Sequence, residues 1–469
     1  MNSASASAPA PAAADALAAR SLRAVWHPCT QMQSHEHVPL IPLARGEGAW
    51  LVETSGHRLL DGISSWWVNL FGHANPRIGA ALHEQIDRLE HAMLAGCTHA
   101  PVVELSERLA ALTGNALGHA FYASDGASAV EIALKMSHHA WRNLGRPAKR
   151  EFVCVRGDYH GETLGALGVT DVPLFRDVYA GLLHPAHVVA SPDARQAQPG
   201  ESPADVARRA AADLDRLLSE RDPTIAALVV EPLVQCAAGM AMHDPLYLRQ
   251  LRALCDRHEV HLIADEIAVG FGRSGSFFAC EQAGIWPDFL CLSKGLSGGY
   301  LPLSVVLSRP AVFDAFYAAD PARAFLHSHS YTGNPLACRA ALATLDIFRD
   351  DAVIEGNRQR GAELDALLQP LRDDPRVAHA RRCGMIWAFD VRSEADPAPA
   401  VPPGSFAPNF AQRCFAAARE RGVLLRPIGR TLYLMPPYIL TTAENRHLAR
   451  VAWQALDAAL RGPGRPAGA

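Results

Sequence analysis

The chain has 469 residues, enough for two domains and a sizeable buried core, and carries 44 Lys plus Arg against 48 Asp plus Glu for a formal net charge of −4. That balance gives no basic footprint for nucleic acid or an anionic membrane and points to small-molecule partners. Ten cysteines stand singly with no C-x-x-C pair, which argues against a zinc knuckle or a dense disulfide framework and suits a reducing cytosol.

No apolar run approaches the roughly 18 to 20 residues of a membrane span, since even 260–269 is broken by Asp265 and Glu266. Residues 1–20, mostly Ala, Ser and Pro, lack the basic leader and strongly apolar stretch of a secretory signal. They are expected to be a disordered tail, with Pro9 and Pro11 set against a regular helix. Residues 49–52 and 59–60, joined through Ser55 and Gly56, form a hairpin pattern. From about 119 to 308, short β-rich runs alternate with longer helical patterns, the mark of a largely parallel sheet covered by helices. Strands are expected at 120–124, 152–156, 225–230, 261–264, 289–292 and 304–307, and helices at 129–141 and 334–349. Mixed helical and strand-like runs continue to 461, interrupted by a Pro-rich loop at 396–408, and 463–469 is expected to be a second tail. The expected division is a large domain over 76–349 and a smaller α+β domain built from 21–75 together with 350–462.

Ligands of open α/β sheets bind beyond the carboxyl ends of the strands, so the residues just after each run are the first suspects. Asp265 and Glu266 follow one apolar run; such an acid either caps a helix or is met by a cation or donor of a site. Lys294 follows another and enters a turn with Gly295, Gly298 and Gly299, where a desolvated amine is both nucleophilic and open to a ligand. Those two side chains are the parts pyridoxal 5′-phosphate (PLP) needs: a lysine to link to, and a carboxylate to keep the pyridine nitrogen protonated. The segment Ser124–Ser128 reads as strand end, turn and helix start, which either cradles a phosphate with backbone N–H groups or is an ordinary cap. Tyr159 again follows a strand, where it stacks on a ring or joins the core. Gly270 to Gly275 spell G-x-G-x-x-G, but acids intervene between strand and glycines and Phe277-Phe278 follows in place of a clear helix, against a dinucleotide site.

Eight segments in order, WHPCTQM from Trp26, DGISSWW from Asp61, GDYHGET from Gly157, EPLVQ from Glu231, DEIAVGFGRSG from Asp265, LSKGLSGG from Leu292, HSHSYTGNPLA from His327 and LRPIGRTLYLMPPY from Leu425, resemble the class III aminotransferases along nearly the whole chain. The resemblance implies the fold type I architecture of PLP-dependent transferases, a homodimer with shared active sites, and a cytoplasmic enzyme. Within that family it is similar to the branch that moves an amino group from S-adenosyl-L-methionine to 8-amino-7-oxononanoate in biotin synthesis. The alternatives are lysine as donor, or another ω-amino-acid substrate. The implied catalytic residues are Lys294 (the Schiff-base lysine), Asp265 (the pyridinium partner) and Tyr159 (stacked on the ring). Gly126 and Ala127 match the phosphate turn, and His329 and Ser330 the pair that reaches the neighbouring subunit's cofactor phosphate. Substrate recognition is implied for Trp66 as an apolar wall, Ser328 through its backbone, Arg426 as the carboxylate fork, and Cys29, with Tyr159 and Lys294 also touching substrate. Taken alone, Arg426 is a surface ion pair or a carboxylate fork, and Trp66 core or wall. His327 and His329 alternate like a strand-borne metal pair, but two ligands make a poor zinc site. The chain departs from the family at Cys29, where tyrosine is frequent, at Ala127, where a hydroxyl is usual, and at His329, where proline is frequent.

Overall fold

The computed structural model describes residues 11–221, 223–395 and 407–461, with side chains from residue 16 onward. Most of the expected Pro-rich loop and the whole expected tail 463–469 lie outside them. The chain clusters into two units, one formed by residues up to Asn75, Gln359–Ala380 and residues from Trp387 onward, the other by Pro76–Arg358 and Arg381–Ile386. Residues 350–358, which the sequence reading gave to the smaller part, cluster with the larger one.

The larger unit is built on a seven-stranded sheet. Its strands are β1 (His119–Ala123), β2 (Glu151–Val155), β3 (His187–Val189), β4 (Ile225–Val230), β5 (His261–Asp265), β6 (Phe289–Leu292) and β7 (Ser304–Ser308), in the spatial order β1-β7-β6-β5-β4-β2-β3. Neighbours from β6 through β3 pair in parallel, while β7 runs antiparallel to both β6 and β1. Strands β4, β5 and β6 are apolar at nearly every position because both faces are covered. The helix Gly126–Asn143 buries Ala129, Ile132 and Ala133 against Val229, Ile263 and Phe289. The helix Pro335–Asp350 begins at Asn334, whose side chain accepts from the Ala337 amide.

The smaller unit contains the expected hairpin, Trp50–Glu53 antiparallel to Arg58–Asp61, with Gly56 at φ 87° in its turn. Val423–Leu424 adds to it in parallel, placing Leu424 opposite Asp61. One expectation is overturned. Residues 11–20, read as disordered tail, belong to a helix, Pro11–Ala24. Pro11 is its first residue, where the missing N–H would have had no intrahelical partner, and the alanines that follow favour helix. Among the described residues no helix is long and apolar enough to cross a membrane.

Candidate active site

Parallel pairing aligns the carboxyl ends of β2, β4, β5 and β6, and the turns that follow carry the chemistry. Asp265 closes β5 opposite Cys291, one residue past the pairing of Ala264 with Val230, so Glu231 follows directly on the neighbouring strand. Asp158, Tyr159 and His160 lie just beyond β2. Lys294 lies just beyond β6, half-buried and at φ 44°.

A buried charge network ties these turns together. The ring of His160 is fully enclosed, with Nδ1 2.8 Å from Asp265 Oδ2 and Nε2 3.5 Å from Asp158 Oδ2. Burial by itself discharges an imidazole, but here the flanking carboxylates Asp158 and Asp265 outweigh it and push the pKa up to about 10, so the ring is a cation at neutral pH. Asp265 Oδ1 also accepts from the Ile267 amide at 3.0 Å. Asp158 Oδ1 accepts from Gln235 Nε2 at 2.6 Å, and the same amide nitrogen donates to the Arg156 carbonyl at 2.9 Å. Glu231 accepts from the backbone amides of Tyr159 (2.9 Å) and Cys236 (3.0 Å), pinning the Tyr159 turn to the end of β4. Burial and the nearby Asp158 raise the pKa of Glu231. Desolvation lowers that of Lys294, against the pull of Cys236, Asp265 and Glu231. Burial also raises the Cys236 pKa well above the usual thiol range, so that thiol stays neutral.

Gly126 and Ala127 open the helix after β1, capped by Asp125, which accepts from the Ser128 amide (2.9 Å) and hydroxyl (2.7 Å). A Cβ on Gly126 would meet Ile267 Cδ1 at 2.9 Å, which places this helix start beside the Asp265 turn. A Cβ on Gly161, at φ 121°, would lie 2.4 Å from Ala127 Cβ, so the turn after His160 also touches the helix start. Tyr159 donates its hydroxyl to Glu162 Oε1 at 2.8 Å and lies 5.2 Å from the Phe175 ring. The larger unit therefore brings together Lys294, Asp265, Tyr159, Gly126 and Ala127. These suit PLP in kind: an amine that desolvation favours as free base, a carboxylate that meets the His160 cation at 2.8 Å, and a helix N-terminus for an anion.

The remaining expected residues lie elsewhere. Ser328 and Ser330 are exposed on the loop that holds His329, whose Nδ1 accepts from the Tyr331 amide at 3.2 Å. Neighbouring His327 is paired through Nδ1 with Lys135 Nζ at 2.8 Å, which gives it a partner other than a metal. Cys29 is exposed in the smaller unit. There too the Arg426 guanidinium lies 4.5 Å over the exposed ring of Trp66, a cation–π pair. Trp66 has φ 68° and ψ 44°, and such left-handed backbone costs about 1–2 kcal/mol for a residue with a side chain. His160, Asp158 and Glu231 were not singled out from the sequence; the one available signal was their position just after strands, within segments of the family pattern.

Comparison with known proteins agrees with this geometry. The Aminotransferase class-III family model matches residues 31–456. The adenosylmethionine-8-amino-7-oxononanoate aminotransferase of Helicobacter pylori is 44% identical over 453 residues, 95% of this chain and 99% of that protein. A crystal structure of the enzyme of the same name from Methanocaldococcus jannaschii superposes with a TM-score of 0.86 at 31% identity, covering 94% of this chain and 99% of that one. An amine transaminase from an uncultivated Pseudomonas species, solved in its PLP-bound form, gives a TM-score of 0.86 at 32% identity with the same coverage, 94% and 99%.

Proposed function

The chain belongs to the class-III aminotransferases and is a PLP-dependent transaminase, and from that premise we propose that it moves the amino group of S-adenosyl-L-methionine onto the 7-keto carbon of 8-amino-7-oxononanoate, giving 7,8-diaminononanoate for biotin synthesis. The observation that carries this reading is near-full-length similarity to a relative named for that reaction. The Trp66–Arg426 pair adds to it, since a long aliphatic acid needs an apolar wall and one cation at its carboxylate.

Bound PLP supplies an electron sink for the carbon that gives or receives the amine. Lys294 would hold the cofactor through Nζ and would carry a proton at that atom as base and then acid; desolvation lowers its pKa for the first task. Asp265 would hold the ring nitrogen, with the His160 cation 2.8 Å from its Oδ2. Tyr159 would cover the ring face. The amides of Gly126 and Ala127 would take the phosphate, Ala127 offering only its backbone. Trp66, Ser328, Arg426 and Cys29 contact substrate. Two copies form a homodimer in which His329 and Ser330 of each reach the partner's phosphate. A cytoplasmic location is supported by ten cysteines, all free thiols. Exposed Cys29, standing where tyrosine is frequent in the family, favours lysine as the second candidate donor.

Protein reconstituted with PLP and given 8-amino-7-oxononanoate with each donor, product read by mass spectrometry, tests the assignment. Diaminononanoate with S-adenosylmethionine is expected. Product with lysine alone would change the donor, and turnover of simpler ω-amino acids without any diaminononanoate would refute the substrate. Light scattering should give twice the mass of one chain.

A further inference from the structure

Ser64, Ser65, Trp66 and Trp67 follow one another at φ 52°, 47°, 68° and 74°, four left-handed residues with no glycine among them. Such a run persists only where its surroundings over-determine it, and the surroundings here converge on one carboxylate. Asp61 is fully buried at the end of Arg58–Asp61. Its Oδ1 accepts from the Ser65 amide at 2.9 Å, and its Oδ2 from the Ser65 hydroxyl at 2.7 Å, with His73 Nε2 3.0 Å away on the other side. The flanks of the run are tied separately: the Ser64 hydroxyl donates to the Met435 carbonyl at 2.8 Å, and Trp67 Nε1 to the Tyr433 hydroxyl at 3.1 Å. Ser64 and Trp67 are thereby buried, and Trp66 is the member turned outward under Arg426.

The backbone of the same strand end registers the other half of the pair. Leu424, two residues before Arg426, pairs with Asp61, and the approach is close enough that a Cβ on Gly62 would meet Leu425 Cδ2 at 2.9 Å and the Leu424 carbonyl at 3.1 Å. One end of a hairpin strand thus sets both the tryptophan, through the turn, and the arginine, through the strand pairing. We propose that Asp61 is a positioning residue that fixes the Trp66–Arg426 pair and, through it, the preference of the enzyme for substrates bearing a free carboxylate. This rests on the reading of Trp66 and Arg426 as substrate contacts.

The test compares kcat/KM for 8-amino-7-oxononanoate and for its methyl ester. A charge-assisted contact at Arg426 makes the native enzyme prefer the free acid on the order of 10- to 100-fold. Asp61→Ala, which removes the carboxylate contacts to Ser65 and His73 and leaves the backbone pairing, should cut that preference by about tenfold while the ester is still turned over and PLP still binds. Asp61→Asn, which keeps an acceptor for the Ser65 amide, should restore most of it, and Ser65→Ala, which removes one bond, should cost about threefold. A purely structural role lowers acid and ester alike, so proportional losses in Asp61→Ala and Ser65→Ala overturn the inference. Where Asp61→Ala does not fold, Ser65→Ala decides on the same ratio. Arg426→Ala separates the two claims. If it abolishes the acid preference and the Asp61 and Ser65 variants keep it, the inference about Asp61 fails alone. If the native enzyme has no acid preference, or Arg426→Ala retains it, the reading of Arg426 fails and takes the inference with it.

Discussion

Replacing His160 by asparagine asks whether a buried cation, rather than the shape of a ring, holds the cofactor edge together. The asparagine amide can still donate toward Asp265 but carries no charge, so Asp158 and Asp265 lose the positive group between them. In the native chain burial opposes protonation of His160, and the two carboxylates prevail, pushing its pKa from the ordinary 6.5 up to about 10. At about 1.4 kcal/mol per pH unit, that difference stabilises the fold by at most about 4–5 kcal/mol. The folded value lies above the unfolded one, so the contribution is complete below pH 6.5 and is lost as pH rises through about 10. Urea unfolding of both proteins, followed by tryptophan fluorescence between about pH 6 and pH 10, should show the full gap at the acid end and little of it at the alkaline end. A gap that stays constant across that range would mean that His160 acts through packing, and the electrostatic account of the network would be refuted.

Lys294→Ala should leave a protein that binds PLP without covalent attachment, so borohydride no longer fixes the cofactor to the chain, and amine transfer should fall by about 10²–10⁴-fold from loss of the proton carrier alone. A pyridoxyl group still found on the Lys294→Ala chain would move the assignment to another lysine. Gly161→Ala would place a Cβ 2.4 Å from Ala127 Cβ at φ 121°, so it should destabilise by about 3 kcal/mol or more and weaken PLP binding; ordinary affinity and melting temperature would disprove the contact. Gly126→Ala meets side-chain atoms of Ile267, Cδ1 at 2.9 Å and Cγ2 at 3.0 Å, at a looser approach than the 2.4 Å at Gly161, and its effect on PLP affinity, read by equilibrium dialysis, should be the smaller of the two.

The strands were legible because burial on both faces leaves continuous apolar runs: β4 occupies the expected 225–230 residue for residue. The three residues of β3 were not, since so short a run has no period to detect. The helix from Pro11 was missed because proline was read as a breaker, when at a first helical position it is tolerated. Lys294 stood out in sequence because a strand and a glycine turn frame it. His160 did not, because its partner Asp265 is 105 residues away and only parallel pairing of β2, β4 and β5 brings them together. The Ser64–Trp67 run was invisible for another reason. Ser, Ser, Trp and Trp carry no intrinsic preference for left-handed backbone, and the conformation is imposed by Asp61 and by contacts to Tyr433 and Met435, more than 360 residues further along.

The two units preorganise their functional groups by different physics, and the difference has a consequence for how the enzyme fails. Around Lys294 the geometry depends on a protonated histidine between carboxylates, so it weakens as pH approaches about 10. Around Trp66 it depends on a strained backbone turn latched through the Ser65 amide and hydroxyl, neither of which titrates in that range, with His73 Nε2 3.0 Å from the same carboxylate. Alkaline inactivation should therefore begin with release of PLP. Enzyme brought to about pH 10 and followed by cofactor absorbance should lose PLP, yet regain activity and its full preference for acid over ester when returned to neutral pH with added cofactor. Loss of that preference before any cofactor is released would place the weaker link at the Asp61 latch and contradict the assignment of charge to one unit and strain to the other.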